Sequence, residues 1–348
     1  MTEAHDRSVA GRKLGHLRAI MADPDVERGA SGFDRIALTH RALPELDFDA
    51  IDTSTSFLGK ELSFPLLISS MTGGAGDEIE RINRNLAEAA EETGVAMAVG
   101  SQRVMFTNPE AKKSFELRQY APNVPLIANI GAVQLNYGLT ADHCKQAVEV
   151  LGADGLYLHL NPLQEAVQPE GDRNFAGLAE KIAEVAKQSD VPVLLKEVGA
   201  GLSKADVEKG LAAGIRHFDM AGRGGTSWSR IEYHRRQDEH DDLGLVFQDW
   251  GMTTVDCLLE SRETLSQFQD QNTIIASGGI RNGVDMAKSM ILGADLCGVA
   301  APFLAAAQES SASVVQTIKK FQSEFQTAMF LLGCGDFSSL KGNISLIR

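Results

Sequence analysis

Eight short apolar runs, each followed by a stretch with helical spacing, constrain the fold of this chain more than any other feature. Near-continuous apolar strands that alternate with amphipathic helices are typical of a parallel sheet covered by helices. After the first run, residues 78–93 place apolar side chains at helical spacing and charges elsewhere. Eight units in this order predict a (β/α)8 TIM barrel. The runs occupy residues 64–69, 95–99, 124–130, 154–160, 191–197, 215–220, 273–277 and 295–300.

A doubly wound open sheet is the competing architecture, and it needs a glycine fingerprint after its first strand. The nearest candidate is GGAG at 73–76, but Ile79 stands where the third glycine would fall. The chain has no Walker A sequence either. The barrel is therefore the favoured architecture.

Three segments lie outside the eight units. Residues 1–60 precede the first unit and are expected to form an arm with short strands, ahead of a single barrel domain at 61–348. Residues 222–250 form a long, charged connection after the sixth run, which an ordered barrel does not need. We interpret it as a lid, although its charges alone would suit a solvated face. Residues 303–332 carry a helical apolar stripe, expected to pack on the barrel or on a partner subunit of a homo-oligomer.

The charge of the chain argues against several kinds of partner. Its 348 residues carry a net charge of −14, which disfavours general binding to nucleic acids or anionic membranes. A small anion held by a local group of cations remains compatible with that charge. The first residues lack the apolar core of a signal peptide, and no run is long enough to span a bilayer. Four widely spaced cysteines without a CxxC pair indicate reduced thiols in a cytoplasmic protein.

Nearly all the C-terminal ends of the predicted strands are polar or rich in glycine, although the strands themselves are apolar. In a barrel these ends meet at one face, where active sites lie. One polar end would mean little, because loops are generally polar, but all eight together predict one large ligand-binding mouth. The ends read SSMTGG, GSQR, NIGAVQ, HLNPLQE, KEVG, AGRGGTSW, SGGIRNG and AAPF in chain order.

The last two strand ends indicate a phosphate-bearing cofactor. A glycine pair before a helix, followed by a small-residue turn after the eighth strand, is the usual phosphate site of such barrels. Gly278, Gly279 and Arg281 fit its first half, and Ala300 and Ala301 fit the second. Tight turns without a ligand are the alternative.

A lysine and a flat, small-residue turn suggest which cofactor it is. Lys196 ends the fifth strand and would place a cation in the mouth, against a phosphate or a flavin ring oxygen, or as a Schiff base. A lysine that only snorkels to solvent is the alternative. SSMTGG after the first strand offers exposed amides along which a flat ring could lie. Together these features favour FMN over a dinucleotide.

A second group of side chains suits another anion. Arg12, Lys13 and His16 lie in RKLGH ahead of the barrel, and Arg103 lies in GSQR. Arginine binds a diphosphate in a bidentate manner and lysine acts as a point charge. Glu165 then has a role, because Mg²⁺ needs only one or two protein carboxylates when a substrate diphosphate supplies other oxygens. The alternative is that Glu165 is simply a helix-start residue.

These motifs, in this order and spacing, resemble the type 2 isopentenyl-diphosphate isomerases. The resemblance rests on RKLGH, SSMTGG, GSQR, HLNPLQEAVQPEGD, GRGGTSW and GGIRNGVDMAKS, and it runs from about residue 11 to beyond residue 332. It implies an FMN-dependent, Mg²⁺-requiring enzyme that interconverts isopentenyl and dimethylallyl diphosphate. NADPH or another reductant would keep the flavin reduced.

The resemblance also assigns residues. It implies FMN contacts at Ser70, Met71, Thr72, Ser101, Asn129, Lys196, Thr226, Gly279, Ile280, Arg281, Ala300 and Ala301. It implies substrate contacts at Arg12, Lys13, Ser101, Gln102, Arg103 and Gln164, with His159 and Asn161 at the diphosphate and metal end and Glu165 as the Mg²⁺ ligand. The reaction adds a proton at one carbon and removes one from another, with no net redox change. Reduced FMN itself is our candidate acid and base, with Gln164 as a helper.

Two other functions remain open at this point. An FMN-dependent 2-hydroxy-acid oxidase or dehydrogenase would use the same fold but needs a histidine base paired with an acid, and HRR at 234–236 is a weak match. A flavin- or phosphate-binding barrel without catalysis would bind the substrate but exchange no isomers.

Overall fold

Eight parallel strands close into a barrel at the centre of this computed structural model, which describes residues 20–348 except 21, 28, 72, 236–239 and 267–271. The strands are β3 (Leu66–Ile68), β4 (Ala96–Ala98), β5 (Leu126–Gly131), β6 (Gly155–Leu160), β7 (Val193–Glu197), β8 (His217–Asp219), β9 (Thr273–Ser277) and β10 (Leu296–Val299). Neighbouring strands pair in chain order, and β10 pairs with β3 to close the ring. Each predicted run overlaps one strand, so the predicted TIM barrel is confirmed.

Helices cover the outside of the barrel, as the apolar periodicity predicts. The first begins with three acidic residues and ends at Gly94, whose φ of 67° suits the left-handed cap of a helix. None of the described helices combines the length and the apolar character that crossing a bilayer requires. The helices are α1 (Asp77–Thr93), α2 (Ala141–Leu151), α3 (Pro162–Val167), α4 (Leu178–Gln188), α5 (Lys204–Ala212), α6 (Trp228–Arg235), α7 (Leu243–Val246), α8 (Thr254–Ser266), α9 (Gly283–Ile291), α10 (Ala301–Glu309), α11 (Ser311–Leu332) and α12 (Phe337–Leu340).

The N-terminal end of the barrel is filled by apolar side chains. A hairpin of β1 (Thr55–Phe57) and β2 (Lys60–Leu62) lies there, and Phe57 and Leu62 pack against the first inward layer of the barrel. That layer consists of Leu67, Ala96, Ile127, Tyr157, Leu194, Ile275 and Leu296. Because the hairpin closes this end, a ligand can enter only at the carboxyl ends of the strands.

Among the segments outside the eight units, residues 222–250 agree only in part with the prediction. Residues 222–250 contain α6 and α7, so the predicted charged connection is partly helical. Its acidic residue Glu232 is fully buried, and for that residue the solvated-face interpretation is wrong. A lid motion of this segment, and a boundary of the barrel domain at residue 60, remain predictions.

Helix α11 carries the predicted apolar stripe and packs inside the chain against α1, α9 and α10. Ser310 caps its first turn through a side-chain oxygen that accepts from the Ser313 N–H, and Gly333 ends it with φ 73°. The buried residues on its inner face include Val314, Val315, Ile318, Phe321, Phe325 and Met329. The stripe is therefore covered by this chain's own helices.

Replacing Phe325 by alanine tests how much this helix contributes. The side chain is fully buried, so Phe325→Ala should lower the free energy of unfolding by about 3–5 kcal/mol. Leu331→Ala on the same helix is the control: its side chain is 40% exposed, and the loss should stay within about 1 kcal/mol. Denaturant unfolding of both variants gives the values. Equal losses would contradict the assignment of the inner face.

Candidate active site

One cavity of about 270 Å³ opens at the carboxyl ends of the barrel strands. With one exception, every described residue of the predicted cofactor, substrate and metal sets lines it. Those lining residues are Ser70, Met71, Ser101, Arg103, Asn129, His159, Asn161, Gln164, Glu165, Lys196, Thr226, Gly279, Ile280, Arg281, Ala300 and Ala301. The predicted residues are thus brought together, while their individual roles in binding remain predictions.

The exception is Gln102, which is fully buried behind the cavity. Its amide nitrogen donates to the Ala147 carbonyl at 2.9 Å, and its amide oxygen accepts from the Asn129 N–H at 2.9 Å. The side chain therefore supports the strand that carries Asn129 and does not line the cavity, and its contact with the substrate stays a prediction. Arg12, Lys13 and Thr72 lie outside the described residues.

The strands become polar at the mouth because side chains alternate across the barrel wall. Ile127, Tyr157 and Leu194 belong to the apolar layer, and the residue two positions after each of them points the same way. Those residues are Asn129, His159 and Lys196. His159 Nδ1 lies 2.7 Å from Asn129 Oδ1. The Asn129 amide nitrogen donates to Ser70 Oγ at 3.0 Å. The mouth is thus a connected polar layer on an apolar floor.

A buried carboxylate supports Lys196 from below. Asp219, fully buried at the end of β8, accepts hydrogen bonds from Lys196 Nζ at 2.9 Å and from the Tyr157 hydroxyl at 2.8 Å. Ser277 Oγ donates to its other oxygen. Burial raises the pKa of Tyr157, so the phenol stays protonated as a donor. Asp219 was not among the predicted site residues, although it is the one carboxylate in the apolar run 215–220 and could have been noticed there.

The glycine pair after β9 has the backbone that a phosphate site needs. Gly278 has φ 102° and Gly279 has φ 76°, a region that favours glycine. A Cβ on Gly278 would overlap the Gly222 carbonyl oxygen, and one on Gly279 would lie 2.5 Å from that of Gly224. The first turn of α10, after β10, lies at the same end of the cavity. Close backbone approach and a helix N-terminus fit the phosphate of FMN.

Glu27 of the N-terminal segment reaches this phosphate end. Its carboxylate forms an ion pair with Arg281 and accepts from the Thr226 hydroxyl. Both partners belong to the predicted FMN contacts. Glu27 therefore uses donors that a cofactor phosphate would require, a contact that the sequence did not reveal because 199 residues separate Glu27 from Thr226.

Glu165 and Asn161 are hydrogen-bonded neighbours in another part of the cavity lining, where Glu165 has a carboxylate and Asn161 an amide oxygen. Glu165 accepts from Asn161 Nδ2 at 2.9 Å and from the Asp172 N–H at 2.6 Å. Burial raises the pKa of Glu165, and these two hydrogen bonds oppose that rise. Asn161 Oδ1 is buried and has no hydrogen-bond partner among the described residues. A carboxylate beside an unused amide oxygen fits Mg²⁺.

A complete protein cage for a metal is not found in the described part of the chain. No group of three His, Cys, Asp or Glu residues there could hold an ion by itself. Mg²⁺ commonly keeps waters and shares substrate phosphate oxygens, so one carboxylate is enough for it when a diphosphate is present. The site fits a Mg²⁺–diphosphate pair better than a resident metal.

Two acidic residues that the sequence analysis did not assign hold the predicted substrate residues in place. Asp172 accepts from Arg103 Nη1 at 2.7 Å, and so orients that guanidinium at the cavity. Glu232 accepts from Gln164 Nε2 at 2.9 Å, while Gln164 Oε1 accepts from Asn161 Nδ2 at 3.2 Å. Glu232 was hidden in the charged segment 222–250, where the sequence pattern could not separate buried from solvated charges.

The chain matches the model of the FMN-dependent dehydrogenase family over residues 22–112 and 144–346. Among solved structures, a flavocytochrome b2 variant with pyruvate bound has a TM-score of 0.70 at 21% identity, covering 96% of this chain and 82% of that one. A mandelate oxidase variant has a TM-score of 0.63 at 18% identity, covering 96% and 91%. At such identities the likeness concerns the fold alone. Fold and family model together define an FMN-dependent (β/α)8 barrel protein.

Curated relatives define the family within that class. The isopentenyl-diphosphate delta-isomerase of Paracoccus zeaxanthinifaciens is 72% identical over 348 residues, covering 100% of both chains. That of Hydrogenovibrio crunogenus is 57% identical, covering 98% of this chain and 99% of the relative. That of a Nostoc species is 44% identical, covering 100% and 98%. The chain belongs to the isopentenyl-diphosphate delta-isomerase family, in its FMN-dependent type 2 form, and the resemblance noted in the sequence is confirmed.

Replacing Glu27 by glutamine tests its contact with the phosphate end. Glu27→Gln should bind FMN up to about fivefold more tightly, because a carboxylate no longer repels the phosphate or occupies Arg281; the pair is partly exposed, so the effect is modest. Asp25→Asn is the control, since Asp25 pairs with Arg230 and not with the phosphate end. Quenching of flavin fluorescence gives the affinities. Weaker FMN binding by Glu27→Gln would show that Glu27 supports the cofactor instead.

Proposed function

We propose that this protein interconverts isopentenyl diphosphate and dimethylallyl diphosphate in isoprenoid biosynthesis, using reduced FMN and Mg²⁺. The observation that carries the proposal is one cavity whose polar lining falls into two groups, one after β9 and β10 and the other around β6 across the barrel. One group has the glycine pair and Arg281, and the other has Arg103, Asn161 and Glu165. A phosphate-bearing cofactor and a diphosphate substrate would bind to these two groups.

The cofactor would be held by residues around the whole mouth. Backbone groups near Gly279 and Ala301 and the Arg281 and Thr226 side chains would bind its phosphate. Lys196 would meet the ring system, and Ser70 and Asn129 would hold its polar edge. When bound and reduced, FMN supplies an acid–base group and a flat surface against which an alkene can lie.

The substrate would be oriented by its diphosphate. Arg103 offers a fork of N–H donors, and His159 also lines the cavity. Mg²⁺ would be bound by Glu165 and the unused oxygen of Asn161, with waters and diphosphate oxygens completing its coordination. Arg12 and Lys13 would add cations from the arm. This anchoring leaves the apolar end of the substrate to be positioned by the remaining wall.

That wall contains apolar side chains and one oriented amide. Ile79, Val104, Leu304 and Trp228 line the cavity and suit an isoprenyl group. Gln164 is held on both sides, by Glu232 and Asn161, so its amide keeps one orientation. Since a neutral amide is a poor acid, we assign it an orienting role toward the alkene. Holding the reacting carbons in place is how such a site lowers the barrier.

Three further statements belong to the proposal. NADPH would serve as reductant for the flavin, without being consumed at each turnover. The protein would be cytoplasmic, which its four buried cysteines without disulfide bonds support. It would also act as a homo-oligomer.

The hydroxy-acid oxidase alternative receives little support from the cavity. His234 does meet a carboxylate, with Nε2 2.5 Å from Asp23 Oδ2, as an oxidase base would require. Neither residue is among the described residues that line the cavity. No second function is therefore proposed.

Replacing Glu165 by glutamine tests the metal site. The change is nearly isosteric, so FMN should be retained, but Mg²⁺-supported isomerisation should fall by more than about tenfold because an amide binds Mg²⁺ poorly. Glu170→Gln is the matched control: it lies five residues on, is 48% exposed, and pairs with Arg235 outside the cavity lining. Isomer exchange at varied Mg²⁺ is the measurement. Full activity of Glu165→Gln would return Glu165 to a helix-start role.

Redox stoichiometry tests the reaction class. The substrate and product have the same oxidation state, so one reduction under anaerobic conditions should support many turnovers without further NADPH. Solvent deuterium should also enter the product, because the added proton comes from an exchangeable site. The measurement is NADPH consumed per product formed in the absence of oxygen. One NADPH consumed for each product would overturn the isomerase proposal.

A further inference from the structure

A carboxylate that no ligand can reach lies directly beneath the cavity. Asp219 is fully buried and stands outside the set of described residues that line the cavity. Lys196, Tyr157 and Ser277 all donate to it. Burying a carboxylate is costly unless it is paired and hydrogen-bonded, and these three donors meet that condition. The residue is therefore built to remain an anion within the barrel.

The partner that matters for function is Lys196, because it is the charged one of the three donors and it lines the cavity. Its side chain is 8% exposed, and its ammonium also lies 5.7 Å from the centre of the Tyr157 ring. Within the described residues it makes one hydrogen bond, to Asp219. An ammonium has three N–H donors, so two remain for a group in the cavity. Asp219 therefore holds one side of the Lys196 ammonium, and the other N–H groups are left for a group in the cavity.

The other titratable groups near Lys196 do not supply the opposing charge. Tyr157 is protonated, as its raised pKa indicates. His159, in register with Lys196 on β6, contacts Asn129. Glu197, the next residue in the chain, points away and accepts from the backbone N–H groups of residues 198–201. Asp219 is accordingly the counter-charge of this lysine.

We propose that Asp219 is a positioning residue that keeps Lys196 protonated and aimed at the flavin. Burial without a nearby anion lowers the pKa of a lysine, because desolvation disfavours the charged form, and the lysine then loses its proton more readily. Asp219 supplies that anion at 2.9 Å, so the cation that would face the FMN ring is compensated from within the barrel. This inference rests on the proposed FMN site, and it adds to that site a buried carboxylate that does not itself line the cavity.

The test compares FMN affinity across pH in the wild-type protein and in Asp219→Asn, by quenching of flavin fluorescence. Wild-type affinity should change by less than about twofold between about pH 7 and about pH 9, while affinity of the variant should fall about tenfold as Lys196 deprotonates. Tyr157→Phe is the matched control, since it removes another hydrogen bond of the same carboxylate but leaves the charge. Its profile should stay flat.

A second variant separates charge from structure. In Asp219→Asn combined with Lys196→Arg, the guanidinium cannot deprotonate in this range, so the pH dependence should disappear. A flat profile for Asp219→Asn overturns the proposal. If Asp219→Asn does not fold, the wild-type profile still decides. A tenfold fall in FMN affinity there would mean that Asp219 does not keep Lys196 protonated. Wild-type protein that binds no FMN at any pH would instead refute the proposed function.

Discussion

Closure of the barrel is the constraint on which the rest of the structure depends. Once eight parallel strands close, every second side chain of each strand points into one interior, and only two ends remain. The β1–β2 hairpin fills one end with Phe57 and Leu62. The other end collects the next inward residue of each strand, and there the polar groups appear. The polar residues of the strands therefore meet at the mouth because of strand register, and no separate domain is needed to bring them together.

The same constraint explains which predictions from sequence succeeded. Strand ends are marked by a change from apolar to polar residues within a few positions, which is a local signal, and the eight ends could be placed at one face. The glycine pair at 278 and 279 could be recognised because its positive φ restricts the residue type, while its role in binding a phosphate remains a prediction. The apolar stripe of α11 was visible for the same reason, since burial on a helix repeats with its period.

Other features depend on contacts between distant parts of the chain and could not be read in that way. Asp219 meets Tyr157 across 62 residues, and Glu27 meets Arg281 across 254. The resemblance implied a substrate contact at Gln102, but the sequence could not show that its side chain is fully buried against Ala147 and Asn129. Glu232 sits in a run of charges whose burial depends on packing against α3. Each case requires knowledge of side-chain direction or partner, which composition and spacing do not contain.

Burial also decides how each cation at the mouth can respond to an anionic ligand. Arg103 with Asp172 and Arg281 with Glu27 are pairs whose side chains are 17–37% exposed. Such pairs are held by about 1 kcal/mol or less, so a phosphate can replace or share the carboxylate at little cost. The Lys196–Asp219 pair is almost fully buried, and separating it would leave an uncompensated charge at a cost of about 3–5 kcal/mol. The two arginines are thus the exchangeable cations that suit incoming phosphates, while Lys196 is a fixed one that suits a cofactor resident in the site.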